Sequence, residues 1–276
     1  MFGTILGVGI RIFSNSGLNV FQKLLTEAGN RSSTVNFYTY FGLSVLSLFL
    51  FPFFNLYIST DLIFNFFIMG ILGALGNYFI IRALSIGELS SLAPINSYKP
   101  VIALLAAFIY LGEIPTLYSL LAILLIILGT YILNSNGANI NKKAVFYRVL
   151  ALIFSGSEAV FIKKIILLTN IPTSFALWAL SGLIFALVFM LVGQCKFEVP
   201  KVKYICLLVF LTALMQYSTN YVFSKINVAS ALALFQLSTL LSVFLGVNIF
   251  NEKGFFRKLT ASILMVVGAV IIILNN

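Results

Sequence analysis

Long apolar segments follow one another along almost the whole chain, and only short polar stretches separate them. A helix needs about 20 apolar residues to cross roughly 30 Å of hydrocarbon, so each of these segments is long enough for one span. The sequence therefore predicts an all-α integral membrane protein with ten transmembrane helices and no soluble domain. The predicted spans cover approximately residues 4–25, 34–57, 62–82, 90–111, 116–134, 146–168, 173–193, 203–224, 229–250 and 257–274.

Charge is scarce in this chain. Only 9% of the residues are charged and the mean hydropathy is +1.09, whereas a soluble domain carries about a quarter of its residues as Asp, Glu, Lys or Arg. The net charge of +10 comes from basic residues scattered between apolar segments, without the basic stripe of a nucleic-acid-binding domain. We therefore expect a lipid bilayer and no nucleic acid as partner. The abundance of Ile, Phe, Asn and Lys is typical of an A+T-rich genome and favours the plasma (inner) membrane of a bacterium.

The residue types that usually carry enzymatic chemistry are missing or isolated. The chain has no His, which is the commonest metal ligand and the usual proton shuttle. Its two cysteines, Cys195 and Cys206, match no zinc or redox spacing. A phosphate-binding loop of the form G-x-x-x-x-G-K-[ST] does not occur. The sequence predicts that the protein is not an enzyme, needs neither metal nor cofactor, and uses no ATP.

The two halves of the chain are similar at an offset of 139 residues. The shift pairs Tyr78 with Tyr217, Glu113 with Glu252, and Gly129 with Gly268. At an offset of 140, the VFQK of residues 20–23 falls on the VFIK of residues 160–163. Each half holds five predicted spans, an odd number, so the second half must enter the membrane in the opposite orientation. We expect two inverted five-helix repeats, residues 1–138 and 139–276, in a single membrane domain.

Basic residues are unevenly divided between the two ends of the predicted spans. The connections that follow even-numbered spans carry only Lys163, Lys164 and Lys225, if span ends are counted with the loops. Cytoplasmic connections are enriched in Lys and Arg, so this asymmetry predicts cytoplasmic odd-numbered connections and external termini. The odd-numbered connections carry Lys23, Arg31, Arg82, Lys142, Lys143, Arg148, Lys196, Lys201, Lys203, Lys253, Arg257 and Lys258.

One stretch of the first half resembles a known family of membrane proteins. Residues 81–133 contain a span with a central Pro100, an LGE ending at residues 111–113, and a following span with Gly129. This pattern is similar to that of EamA-type transporters in the drug/metabolite transporter superfamily. The second half repeats it with Thr239 in place of Pro, Asn-Glu in place of Gly-Glu, and Gly268 retained.

The resemblance implies a ten-helix bundle of two inverted repeats around a central cavity, which moves small solutes by alternating access. Members of the family export amino acids and related metabolites, and related branches exchange nucleotide sugars or phosphorylated metabolites. Because the chain has no ATP-binding loop, a gradient of protons, ions or a counter-solute would drive transport.

Three ionisable residues lie well inside predicted spans: Arg11 in the first, Lys99 in the fourth and Glu158 in the sixth. A charge at the bilayer centre costs roughly 2.5–3.5 kcal/mol on insertion scales, so it normally faces protein or water. We expect these three side chains to surround a watery pocket between the halves. The alternatives are a structural ion pair between Lys99 and Glu158, and an Arg11 that extends to the nearer membrane interface.

Amide and hydroxyl side chains extend this set. Arg11, Asn15 and Asn19 repeat at intervals of four residues and share one helix face. Asn96 precedes Lys99 by three residues in a segment that Pro94 and Pro100 are expected to kink. Amides within spans also serve as hydrogen bonds between helices, which is the alternative for Asn77, Asn96, Gln216 and Gln236. The predicted substrate-binding set is Arg11, Asn15, Asn19, Asn77, Asn96, Lys99, Glu158, Gln216, Tyr217 and Gln236.

Two cations and one carboxylate suit a zwitterion, so the leading hypothesis is an exporter of an amino acid or a similar metabolite. The alternatives are an exchanger of phosphorylated or carboxylated anions, in which Glu158 only neutralises charge, and a non-transporting membrane scaffold or receptor. Glu158 could also serve as a proton site. Trp178 is expected to be a lipid-facing, interfacial or packing residue, and Glu113 and Glu252 are expected to act in the fold.

Overall fold

The computed structural model describes residues 2–99, 101–102, 121, 124–129, 132, 141–193, 200–226 and 228–274. Every regular element among these residues is helical. Two short 3₁₀ turns, Phe51–Phe53 and Pro94–Tyr98, accompany the α-helices. The α-helices are α1 (Phe2–Glu27), α2 (Ser32–Leu48), α3 (Thr60–Leu84), α4 (Leu89–Leu92), α5 (Lys142–Leu168), α6 (Ile171–Val192), α7 (Val202–Lys225), α8 (Val228–Leu234), α9 (Leu237–Phe250) and α10 (Phe255–Leu274).

Side chains cap the beginnings of three long helices. Asn141 accepts hydrogen bonds from the backbone N–H groups of the first turn of α5, and Asn170 and Ser59 do the same at α6 and α3. The first N–H groups of a helix have no partner within the helix, and an unpaired polar group is costly in lipid. These caps therefore fix where the apolar helices begin.

Four described helices are long and apolar enough to cross a membrane: α3, α5, α6 and α7. The helix α9 is apolar but shorter. Residues 100 and 103–111 of the expected span 90–111, and most of the expected span 116–134, lie outside the described residues. The described residues therefore do not confirm the expected number of ten spans.

Two of the predicted spans differ from the structure. The segment 34–57 is helical only to Leu48, because the chain then turns through Phe51–Phe53, where Pro52 has no N–H to continue the helix. The segment 229–250 was expected to be continuous but is divided into α8 and α9 at Phe235 and Gln236. There the backbone N–H of Ser238 bonds to the carbonyl of Phe235, three residues earlier rather than four. No Pro or Gly marks this break.

Helices from the two halves of the chain pack against each other. The most extensive packing joins α3 to α5, α1 to α7, and α2 to α6. Large apolar side chains such as Phe2, Phe13, Phe49 and Phe64 remain exposed on the outside. Charged and amide side chains are buried between the helices instead. This distribution is the one expected where lipid surrounds the molecule.

Candidate functional site

Arg11 lies on the inner side of α1 and is buried. Its Nε donates a hydrogen bond of 2.8 Å to Thr219 Oγ1 of α7, and its guanidinium lies 4.9 Å from the centre of the Phe235 ring. The buried Nη1 has no hydrogen-bond partner among the described residues. Arg11 therefore faces the protein interior, at the break between α8 and α9, with a donor available for a further group.

Glu158 lies on α5 and is also buried. Its Oε1 accepts a hydrogen bond of 2.5 Å from Nε1 of Trp178 on α6. The carboxylate approaches α3 so closely that a Cβ on Gly73 would overlap Oε1. Tyr40 of α2 completes this corner, and its ring centre lies 5.1 Å from that of Trp178. Gly73 thus leaves space for the Glu158 carboxylate, and the hydrogen bond from Trp178 orients that carboxylate.

Trp178 was expected to be a lipid-facing, interfacial or packing residue, and it has a more specific position. It is 6% exposed and donates its indole N–H to the buried carboxylate. A buried Trp N–H usually finds a hydrogen-bond partner. No sequence pattern indicated this contact, because Trp178 and Glu158 lie on different helices.

Lys99 follows the 3₁₀ turn Pro94–Tyr98 and is half-buried. It interacts electrostatically with Arg11, Arg148 and Glu158. Ile102, one turn later, packs against Gly156 of α5: a Cβ on Gly156 would lie 3.2 Å from the Ile102 side chain. The 3₁₀ turn after α4 therefore places Lys99 beside α5, where the charges of Arg11, Arg148 and Glu158 act on it.

Arg148 was counted among the basic residues that set membrane orientation, and the structure places it inside. It is 4% exposed, near the beginning of α5, and its buried Nε has no partner among the described residues. A sequence signal exists: Arg148 shares a helix face with Ala144, Ala151 and Leu152, which are all buried. Its position near a helix end masked this pattern.

Amides of α1, α2 and α3 form a chain of hydrogen bonds. Gln22 Nε2 donates to Asn77 Oδ1 at 2.9 Å, and Asn77 Nδ2 donates to Asn36 Oδ1 at 2.7 Å. Asn36 Nδ2 then reaches the carbonyl oxygen of Ala74 at 3.2 Å. Asn19, one turn before Gln22 on α1, is buried, and its Oδ1 has no partner in the described part of the chain.

The remaining predicted residues lie in several places. Asn15 Nδ2 donates to Ser238 Oγ at 3.1 Å, next to the break before α9. Gln236 is buried in that break, and Asn96 is buried in the 3₁₀ turn of the first half. Gln216, which the offset of 139 residues places on Asn77, is buried on α7 and bonds to Asn220 of the same helix. Tyr217 is 39% exposed and packs edge-on against Phe175, on the outer side of α7.

The two helix breaks occupy corresponding positions in the halves. An offset of 139 residues places Asn96, within the 3₁₀ turn, on Phe235, at the break between α8 and α9. Discontinuous helices at equivalent positions of two repeats are a common mark of a binding site in transporters, because the freed backbone groups line a cavity. Arg11 and Asn15 of α1 lie against the second break.

A second feature lies on the outside. A groove of about 610 Å³ between α1 and α7 is lined by apolar side chains with one exception, Ser14. Gly9 leaves this groove open, since a Cβ there would touch nothing within 4 Å. Its lining suits lipid chains rather than a polar solute.

An all-α membrane protein with polar and charged side chains buried between two halves is typical of transporters for small solutes. The comparisons agree with this class. The family model described as the EamA-like transporter family matches residues 2–135 and again residues 142–274, so the chain belongs to that family in two repeats. It is a multi-pass membrane transporter of the drug/metabolite transporter superfamily, whose members are transporters and not enzymes.

Solved structures support the fold. In all, 28 chains of solved structures match this protein. One crystal structure is similar at a TM-score of 0.69 and 13% sequence identity, over 98% of this chain and 96% of its own. This identity is low enough that the likeness concerns the fold alone. Among curated proteins, none matches the sequence.

Proposed function

We propose that this transporter exports a small zwitterionic metabolite, an amino acid or a close relative, across the plasma (inner) membrane of a bacterium. The observation that carries the proposal is the set of opposite charges between the helices: Arg11 and Glu158 are buried, and both act on the half-buried Lys99. The carboxylate of the solute would bind Arg11 or Lys99, and its ammonium would bind Glu158. Charge-assisted hydrogen bonds of this kind are the strong ones.

The proposed architecture is a bundle of ten transmembrane helices in two inverted five-helix repeats, residues 1–138 and 139–276, around a central cavity. Two features support it: the family match in two separate segments, and the helix breaks at corresponding positions. Rocking of one repeat against the other would expose the site to each side in turn. Coupling to protons, ions or a counter-solute would supply the driving force.

The predicted binding residues divide between two roles in this proposal. Arg11, Lys99 and Glu158 bind the solute, and Asn15, Asn19, Asn96 and Gln236 line the path beside them. Asn77 holds helices together through Gln22 and Asn36, whereas Gln216 bonds to Asn220 within α7. Tyr217 is left out of the site because it lies on the outer side of α7.

Exchange of carboxylated or phosphorylated anions is the second candidate. One observation favours it: the buried Arg148 adds a third cation near Lys99. In such an exchanger Glu158 would only neutralise part of the positive charge, and solutes without an ammonium group would bind as well as amino acids.

A solute panel on detergent-solubilised protein, read as a shift in melting temperature, tests the substrate class. Amino acids and sugar phosphates form its two arms. Solutes that stabilise the protein are then used in flux measurements with proteoliposomes. Lys99→Gln and Glu158→Gln are expected to lower flux at least about tenfold, because each removes a charge that the solute contacts. Lys203→Gln, which alters an exposed lysine, is the matched control.

The outcomes separate the candidates. Amino-acid flux that both variants leave undiminished removes these residues from the mechanism. Flux of sugar phosphates without amino acids favours the anion exchanger. Absence of any solute flux from well-folded protein favours a scaffold or receptor.

A further inference from the structure

Arg148 has no acidic partner among the residues that the structure describes. The ion pairs within that part of the chain join Lys23 to Glu27 and Glu252, and Lys258 to Glu88 and Glu252. None of these pairs includes Arg148. A buried charge is expensive unless a group of opposite sign offsets it, and no carboxylate within the described ranges does so for Arg148.

The charges are arranged in order along α5. Ile95 and Leu152 share one apolar cluster, and Ile102 contacts the Cβ position of Gly156. Lys99, which lies between Ile95 and Ile102, therefore runs beside the part of α5 between Arg148 and Glu158. At 1.5 Å per residue, about 15 Å of helix separates these two residues. Arg148 and Glu158 therefore mark the two ends of the part of α5 beside Lys99.

The sum of these charges is not that of a simple zwitterion site. Arg11 and Arg148 each add a positive charge that acts on Lys99, which is itself positive, and Glu158 adds one negative charge. A neutral amino acid adds one charge of each sign and leaves the excess unchanged. A solute with a second anionic group offsets part of it and gives Arg148 a partner.

We propose that Arg148 binds a second anionic group of the substrate, which is therefore an acidic amino acid or a similar solute with one ammonium and two anionic groups. The ammonium binds Glu158, one carboxylate binds Arg11 or Lys99, and the side-chain acid points along α5 towards Arg148. The proposal rests on the transport function proposed above and adds the substrate class to it.

Glutamate and glutamine provide the test, because they have nearly the same shape and differ in one charge. Their binding to the purified protein is measured by titration, with melting-temperature shifts as a second readout. The wild-type protein is expected to bind glutamate about tenfold more tightly than glutamine, the usual effect of one charged hydrogen bond. Arg148→Gln is expected to abolish this preference and to retain glutamine binding.

Two controls separate a specific contact from a general loss of charge. Arg148→Lys keeps the positive charge and is expected to retain part of the preference. Lys142→Gln removes an exposed charge from the same helix and is expected to retain all of it. Glutarate, a dicarboxylate without an ammonium group, is expected to bind about tenfold more weakly than glutamate, because it lacks the contact with Glu158.

Equal affinities for glutamate and glutamine in the wild-type protein, or a preference that survives in Arg148→Gln, overturn the role of Arg148. If glutamine binding still depends on Lys99 and Glu158, the proposed function stands without it. Glutarate that binds as tightly as glutamate overturns the ammonium contact. No binding of any amino acid overturns both proposals.

Discussion

Lys23 Nζ lies 2.5 Å from Glu252 Oε1 and thereby joins the end of α1 to the connection between α9 and α10. Both side chains are buried, and the Lys23 ammonium also lies 4.4 Å from the centre of the Phe250 ring. The other carboxylate oxygen accepts hydrogen bonds from the backbone N–H and the hydroxyl of Ser90, at the beginning of α4. One carboxylate of the second half therefore holds two elements of the first.

Removal of this carboxylate is expected to destabilise the protein. Glu252→Gln removes the buried carboxylate beside Lys23 and leaves it only the more distant, half-exposed Glu27. The loss of one partner of a buried ion pair costs about 3–5 kcal/mol. Melting temperature in detergent measures the effect. Glu27→Gln is the matched control, because Glu27 lies 3.9 Å from the same lysine but is half exposed. Equal melting temperatures in the two variants would contradict the anchoring role of Glu252.

The same carboxylate predicts a dependence of stability on pH. Burial acts to raise the pKa of Glu252, but hydrogen bonds from Lys23 and Ser90 outweigh it, so the pKa lies below its usual 4.5. A carboxylate whose pKa is lowered by folding stabilises the protein above its unfolded pKa, and this stability is lost as pH falls through the folded pKa. The melting temperature of the wild-type protein should therefore fall on acidification below about pH 4.5 more steeply than that of Glu252→Gln.

The sequence predicted the helical fold well, because apolar segments of spanning length are a direct consequence of the lipid surroundings. The bounds of α3, α6 and α7 lie within a few residues of the predicted spans. The break at Phe235 could not be predicted, because neither Pro nor Gly produces it. Instead, the break lies against α1, whose Asn15 and Ser16 donate hydrogen bonds to Ser238.

The site was only partly predictable for a related reason. Arg11, Lys99 and Glu158 stood out because charges within spans are rare. Arg148 and Trp178 did not, because a charge near a helix end and a single aromatic residue are both common on membrane proteins. Their roles depend on which helix lies opposite, and that is a property of the assembled halves.

Two glycines are required by the packing around Glu158. A Cβ on Gly73 would overlap the Glu158 carboxylate, and one on Gly182 would overlap the ring of Tyr40. Gly73→Ala and Gly182→Ala are each expected to destabilise the protein by about 1–3 kcal/mol, the usual effect of overpacking. Gly9→Ala is the control, because its Cβ would meet nothing within 4 Å. Melting temperatures near that of the wild-type protein for all three variants would show that the Glu158 and Tyr40 side chains move aside without a loss of stability.

The amide chain between α1, α2 and α3 gives a further prediction. Asn77→Leu deprives Gln22 Nε2 of its acceptor and Asn36 Oδ1 of its donor. Buried groups left without partners cost about 1–3 kcal/mol, so the melting temperature should fall. Asn248→Leu, at an exposed position of α9, serves as the control. A fall of the same size in both variants would mean that the chain of amides contributes nothing specific to the stability of the protein.

Trp178 is the only tryptophan of the protein, and its indole N–H binds the Glu158 carboxylate directly. Its fluorescence therefore reports on one residue of the proposed site. A solute ammonium that approaches Glu158 changes the charge beside the indole, so titration with a binding amino acid should change the emission in a saturable manner. Glu158→Gln should abolish that change while the emission itself remains. A saturable change of the same size in Glu158→Gln would place the bound solute away from this carboxylate, and with it the ammonium contact on which the proposed substrate class depends.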